Sequence, residues 1–234
     1  MSTIVISGAS KGIGRAIAIA FAKKGHNIIA CARNENNLIA LKNELLAINP
    51  SIACHYFVAD LSQKNEVKSF VSFILSNTNV IDVLVNNAGV FLLGNICDEE
   101  DENLETMINT NLYSAYYLTK GLLPSMISQK KGHIFNISSI AGVNAYKNGS
   151  SYSISKFAMQ GFTKSLRNEM KDFGIRVTGV LPGATLTDSW AGVDLPEERF
   201  IDPNDVAQTI VDIYDLSDRT VVEEIVLRPQ LGDI

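Results

Sequence analysis

The chain has 234 residues, 46% apolar and 19% charged, which suits one α/β domain with a large core, or at most two small ones, and excludes a disordered chain. A net charge of −5, with no basic stripe and no block of like charge, excludes nucleic acid as an expected partner. The apolar runs break before the roughly 18 residues of a membrane span. The opening MSTIVISGAS has no basic segment leading into an apolar one, so no membrane contact and no signal peptide are expected, and the expected location is cytoplasmic.

TIVISG (3–8) is a short β-rich run closed by Gly8, and GRAIAIAFAKKG (14–25) follows with helical periodicity and a stop at Gly25. HNIIACAR (26–33) predicts the second strand, and NENNLIALKNELLAIN (34–49) a helix closed by Pro50. SIACHYFVAD (51–60) predicts a strand, SQKNEVKSFVSFILSN (62–77) a helix with Ser62 as its N-cap, and VIDVLVNNAG (80–89) a strand. A long helical stretch over about 99–130 comes next, then the strand GHIFNISS (132–139), a loop to 150 and a helix over about 151–173. GIRVTGVLPG (174–183) predicts a strand, ATLTDSWAGVDLPEERF (184–200) an irregular lid, DPNDVAQTIVDIYDL (202–216) a helix with Pro203 in its first turn, and TVVEEIVLRP (220–229) the last strand. The strands are apolar runs and not alternating ones, which argues for a parallel sheet covered on both faces. The expectation is one doubly wound α/β domain of about seven strands and six major helices. Cys31, Cys54 and Cys97, and His26, His55 and His133, have no metal-ligand spacing. They read as reduced thiols and structural histidines, with no metal.

Three patterns carry chemistry. SGASKGIG (7–14) puts Gly8, Gly12 and Gly14 between the first strand and the first helix. Glycine there permits a tight turn and close approach of backbone to a pyrophosphate, and the helix N-terminus adds N–H donors. The second strand ends in Ala32 and Arg33 with no carboxylate for a ribose 2′-hydroxyl. Arg33 and Lys11 suit a 2′-phosphate, the alternative being that both cations face solvent. Tyr152 and Lys156 lie one helical turn apart, on one face, where an ammonium favours the phenolate and lowers its pKa, the alternative from spacing alone being a solvated helix face.

With SGASKGIG, NNAG (86–89), TNL around Asn111, ISS (137–139), YSISK (152–156) and LPG (181–183) in this order and spacing, the chain resembles the short-chain dehydrogenase/reductase family from about residue 2 to 190. The resemblance implies a single Rossmann domain over 1–234, its cofactor half about 1–138 and its catalytic and substrate elements about 139–234. It implies an NADP(H)-dependent reductase of a small carbonyl compound. Tyr152 would be the general acid, Lys156 would lower its pKa and hold the nicotinamide ribose, Ser139 would position the carbonyl, and Asn111 would hold a water in a proton relay. Cofactor contacts would come from Gly8, Ser10, Lys11, Gly12, Ile13 and Gly14, from Arg33, Asp60 and Leu61, and from Asn87, Ala88 and Gly89. Tyr152, Lys156, Pro182, Gly183, Thr185 and Thr187 would add to them, Thr185 standing where the family often has an apolar β-branched residue.

The end, EEIVLRPQLGDI, departs from the glycine-rich tail of reductases acting on acyl-carrier-protein substrates, and the lid is short. Both look closer to sepiapterin reductase-like and hydroxy-acid dehydrogenase-like members. Asp233 would then hold a pterin ring, or would simply be solvated, and Trp190 would stack on a planar ligand or anchor the lid. A 3-oxoacyl reductase, a 3-hydroxy acid dehydrogenase and a catalytically silent NADPH sensor are the alternatives. The two long helices imply a homodimer or homotetramer.

Overall fold

The structure, a computed structural model, describes all 234 residues. β1 (Thr3–Ser7), β2 (Asn27–Ala32), β3 (Cys54–Val58), β4 (Val83–Asn86), β5 (Gly132–Ile137), β6 (Ile175–Pro182) and β7 (Glu224–Leu227) form one parallel sheet in the order β3-β2-β1-β4-β5-β6-β7. The central strands β1, β4 and β5 carry almost nothing but buried residues, which is why they read as apolar runs: helices cover both of their faces. α1 (Gly12–Lys23), α2 (Glu35–Ile48) and α7 (Pro203–Tyr214) pack on one face around Ile4, Ile6, Phe21 and Ile210. α3 (Lys64–Asn77), α5 (Ser114–Gln129) and α6 (Ser150–Met170) pack on the other around Val5, Phe70, Leu118 and Ile134. Phe21, Phe70 and Phe135 are fully buried, each contributing about 1.5–3 kcal/mol by leaving water. The winding reverses between β1 and β4, and the crevice at the carboxyl ends of those strands is where such sheets take ligands. No helix is long and apolar enough to cross a membrane.

Three elements differ from the sequence-based expectation, two for a tertiary reason and one for a local one. The helical stretch over 99–130 is divided: α4 (Glu102–Ile108) passes through a π-turn, Asn109–Tyr113, into α5. The wide turn coincides with Asn111, whose buried side chain is committed to the loop after β4 and to α6. Ser62 does not cap α3. Its N–H donates to Asp60 Oδ1 at 3.0 Å, the helix starts after Gln63, and Glu66 reaches back to the Asp60 N–H at 2.6 Å. The last strand is only four residues long: the Gly179 N–H of β6 still donates to Glu223 O at 2.9 Å, an oxygen Arg167 also reaches, but one residue earlier the Val222 carbonyl is taken by the Thr178 hydroxyl, at 2.7 Å.

Candidate active site

The floor of the crevice is made where β1 and β4 end. Gly8 has φ of +67°, and a Cβ there would sit 2.9 Å from Ala88 Cα. A Cβ on Gly14 would overlap the Gly8 carbonyl, so the first turn of α1 can lie against the loop only as glycine. Asn87 Nδ2 donates to Ser7 O at 3.1 Å and to Gly8 O at 2.9 Å. Ser7 Oγ accepts from the N–H groups of Asn87 and Ala88, both at 3.0 Å, and donates to Val85 O at 3.3 Å. Ser7 was not among the sequence candidates. Its signal, a serine closing the first strand, acquires meaning only once NNAG is known to lie beside it.

From this floor runs a cavity of about 530 Å³. Arg33 lies at one end with Asn34 and Asn37, which sequence reasoning missed. Asn34 is the N-cap of α2, its side chain accepting from the Asn37 N–H at 2.9 Å. Asp60 and Leu61 line the next stretch. Gly8, Ser10, Lys11, Gly12 and Ile13 line the middle with Asn87, Ala88, Gly89 and Thr187, and Tyr152 and Lys156 line the far end. Gly14, Pro182, Gly183 and Thr185 lie behind the wall. Thr185 is buried with its hydroxyl donated to Gly183 O at 3.0 Å, and the Gly183 N–H donates to Leu227 O at 2.8 Å. Lys11 Nζ is 2.6 Å from Asp188 Oδ2 across the groove, whereas Arg33 makes no ion pair. The glycine cradle, the first-turn N–H groups of α1 and the unpaired Arg33 fit an extended dinucleotide with a phosphorylated ribose.

α6 brings the far end together. Tyr152 and Lys156 stand one turn apart, with Lys156 Nζ 5.6 Å from the Tyr152 ring centroid and donating to Ile137 O at 3.0 Å. Lys156 is 5% exposed, and burial lowers its pKa from 10.5 to about 8. The Tyr152 pKa is raised, not lowered: burial dominates and the Ser139 hydroxyl opposes it. This corrects the expectation that the Tyr/Lys spacing alone acidifies the phenol, because both groups lose water together. Ser139 stands two residues past β5 on the same side, its Oγ accepting from the Ala141 N–H at 3.1 Å. Asn111 is fully buried. Its Oδ1 accepts from the Val90 N–H at 2.7 Å, and its Nδ2 donates to Val90 O at 3.0 Å and Ser155 Oγ at 2.9 Å. Its side chain thus ties the NNAG loop to α6. A Cβ on Gly89 would lie 3.2 Å from Asn111 Oδ1 and 3.8 Å from Lys156 Nζ, so Gly89 joins the two.

Aromatic rings roof this end. Phe91 packs edge-on against Tyr152 with centroids 4.8 Å apart. Trp190 of the lid lies 6.5 Å from Phe91 at 34° and 5.3 Å from Phe200. Phe91 was missed because the loop after NNAG has no periodicity to read. Tyr146 is close enough for its phenol pKa to be raised, by burial first and then by Tyr152. Asp233 does not line the cavity: its carboxylate is paired with Arg228, and its carbonyl accepts from Arg199 at 3.4 Å.

A family model of short chain dehydrogenases matches residues 2–198. A sepiapterin reductase of Chlorobaculum tepidum is 36% identical over 239 aligned positions, covering 99% of this chain and 97% of that protein. A metagenomic short-chain oxidoreductase solved in complex with NADP superposes with a TM-score of 0.86 at 31% identity, over 99% of this chain and 98% of the other. An alcohol dehydrogenase of the archaeon Thermococcus sibiricus, complexed with 5-hydroxy-NADP, superposes with a TM-score of 0.93 at 27% identity, over 100% and 99%.

Proposed function

This chain belongs to the short-chain dehydrogenase family, and from that premise we propose that it is an NADPH-dependent reductase of a compact, flat carbonyl compound, of the kind a pterin side-chain ketone or a small diketone represents. The observation that carries the reading is the convergence of Tyr152, Lys156 and the Ser139 segment at one end of a groove whose floor is a glycine cradle.

When bound, NADPH supplies the hydride. Gly8, Gly12, Ser10 and the start of α1 would hold its pyrophosphate, Asp60 and Leu61 its adenine, and Arg33 and Lys11, with Asn34 and Asn37, its 2′-phosphate. The chain's own work is proton delivery. The Tyr152 hydroxyl, with its ionisation held high by burial, stays protonated in the free protein and has a proton to give to a carbonyl oxygen as that oxygen gains charge. The Ser139 hydroxyl, beside Tyr152, is the second donor for the same oxygen. Lys156, still cationic at neutral pH with a pKa of about 8, stabilises the phenolate left after the transfer.

The preference for a flat substrate rests on Phe91 and Trp190. Phe91 lines the cavity and lies edge-on to Tyr152, and Trp190 lies behind it at 6.5 Å and 34°, so the two rings present an apolar aromatic surface beside the proton donor on which a flat ring would lie. The test follows NADPH oxidation with sepiapterin, a diketone and a medium-chain 3-oxoacyl thioester. The flat ketone is expected to have the highest kcat/KM, and Trp190→Ala to lower it by roughly two- to tenfold, the worth of one stacking contact. A thioester preferred by about tenfold, a difference of ~1.4 kcal/mol, would overturn the substrate assignment.

A further inference from the structure

The lid is joined to the glycine turn by one ion pair. Asp188 opens the short turn Asp188–Trp190, and its carboxylate meets Lys11 at 2.6 Å, with the two side chains 72% and 60% exposed. Beside it Thr187 is packed on the turn itself: a Cβ on Gly12 would lie 3.0 Å from Thr187 Cγ2. Lys11 and Asp188 both line the cavity, so the pair spans it, while Arg33 at the end of the same groove has no acidic partner. One of the two cations available to a phosphate is therefore committed to the lid.

We propose that Asp188 is a specificity-determining residue for the cofactor, competing with the 2′-phosphate for Lys11. The proposal rests on the NADPH reading above. A dinucleotide carrying the 2′-phosphate draws Lys11 away and releases Asp188 and the lid. A dinucleotide without it leaves the pair intact. The competition is winnable because an exposed ion pair contributes less than about fivefold to an equilibrium, and a phosphate brings nearly two charges and several acceptor oxygens. Asp188 thereby tempers the affinity for NADPH, and it makes lid position depend on which dinucleotide is bound.

Trp190 is the only tryptophan in the chain and lies two residues from Asp188, so its emission reports the lid directly. The full chain, Asp188→Asn, Lys11→Met and the double variant are titrated with NADPH, NADH, adenosine 2′,5′-bisphosphate and 5′-AMP. Adenosine 2′,5′-bisphosphate is expected to change Trp190 emission at saturation and 5′-AMP to leave it unchanged. Asp188→Asn is expected to tighten NADPH and the bisphosphate by about three- to fivefold, with NADH moved less than about twofold, and this gain is expected to vanish in the Lys11→Met background. A gain of equal size for NADH, or one that persists without Lys11, overturns the proposal. That outcome differs from failure of the NADPH reading itself, in which the unsubstituted protein binds NADH as tightly as NADPH.

Discussion

Replacing Lys156 with methionine is expected to abolish turnover and to stabilise the cofactor-free protein. Burial lowers the Lys156 pKa from 10.5 to about 8, so at pH 7 the folded chain keeps an ammonium that the interior disfavours. A depression of that size corresponds to about 3 kcal/mol of destabilisation as an upper limit. Methionine has similar length, removes the charge and loses the hydrogen bond to Ile137 O, worth about 1 kcal/mol. The net gain is about 2 kcal/mol, or roughly 4–8 °C in Tm for a domain of this size. The sign follows from linkage. The folded pKa lies below the unfolded one, so the penalty is complete below about pH 8 and fades to nothing as pH rises to 10.5. Urea unfolding of both proteins, followed by circular dichroism at pH 7 and near pH 10.5, measures the difference. A variant less stable than the parent at pH 7, or an advantage that does not shrink with rising pH, would show that burial is not what perturbs Lys156.

Tyr152→Phe keeps the ring and removes the proton donor: kcat should fall by roughly 10²–10⁴ while NADPH affinity, read by fluorescence, barely moves, and near-parental turnover would remove Tyr152 from the mechanism. Gly8→Ala forces a side chain into a left-handed turn against Ala88, so NADPH binding should be lost and stability lowered by about 1–3 kcal/mol, with an unchanged dissociation constant as the contrary result. His133 and His26 both have lowered pKa values, chiefly from burial, so their neutral forms are favoured on folding. Stability should therefore fall as pH drops below about 6.5, and a Tm that stays level between pH 6.5 and 5 would contradict this. Tyr113, Tyr116, Ile154 and Phe157 on the π-turn, α5 and α6 are each between 41% and 46% exposed, a patch suited to self-association. Light scattering should give at least a dimer, and the mass of a single chain at micromolar concentration would refute it.

The strands were legible because β1, β4 and β5 are covered on both faces and had to be written as apolar runs. The glycine cradle was legible because Gly8 and Gly14 answer a steric demand that no other residue meets. What escaped depends on atoms far apart in the chain. The Tyr152–Lys156 spacing predicts a shared face, but whether the phenol is acidified depends on how much water each group loses, and that is set by β5 and the loop after β4. Lys11 reads as a phosphate ligand until a carboxylate 177 residues away is found beside it. Ser62 escaped for a local reason: it has the right chemistry for a cap, but its own N–H is turned to Asp60 and the helix begins only at Lys64, after Gln63. Phe91 and Trp190 sit in loops without period, where only coordinates bring them together.

The π-turn at Asn109–Tyr113 also preserves a phase. It takes up one residue more than a regular helix would over the same rise, where an extra residue in ordinary helix would rotate all that follows by roughly 100°. Deleting a single residue there would close the turn into ordinary helix and leave α5 in phase with α4, with Leu118, Leu122 and Met126 still on the sheet. What would go is the wide turn that carries Asn111 to Val90 and Ser155. The interior on that side of the sheet and the tie behind Lys156 are thus set separately, although one continuous stretch of chain supplies both.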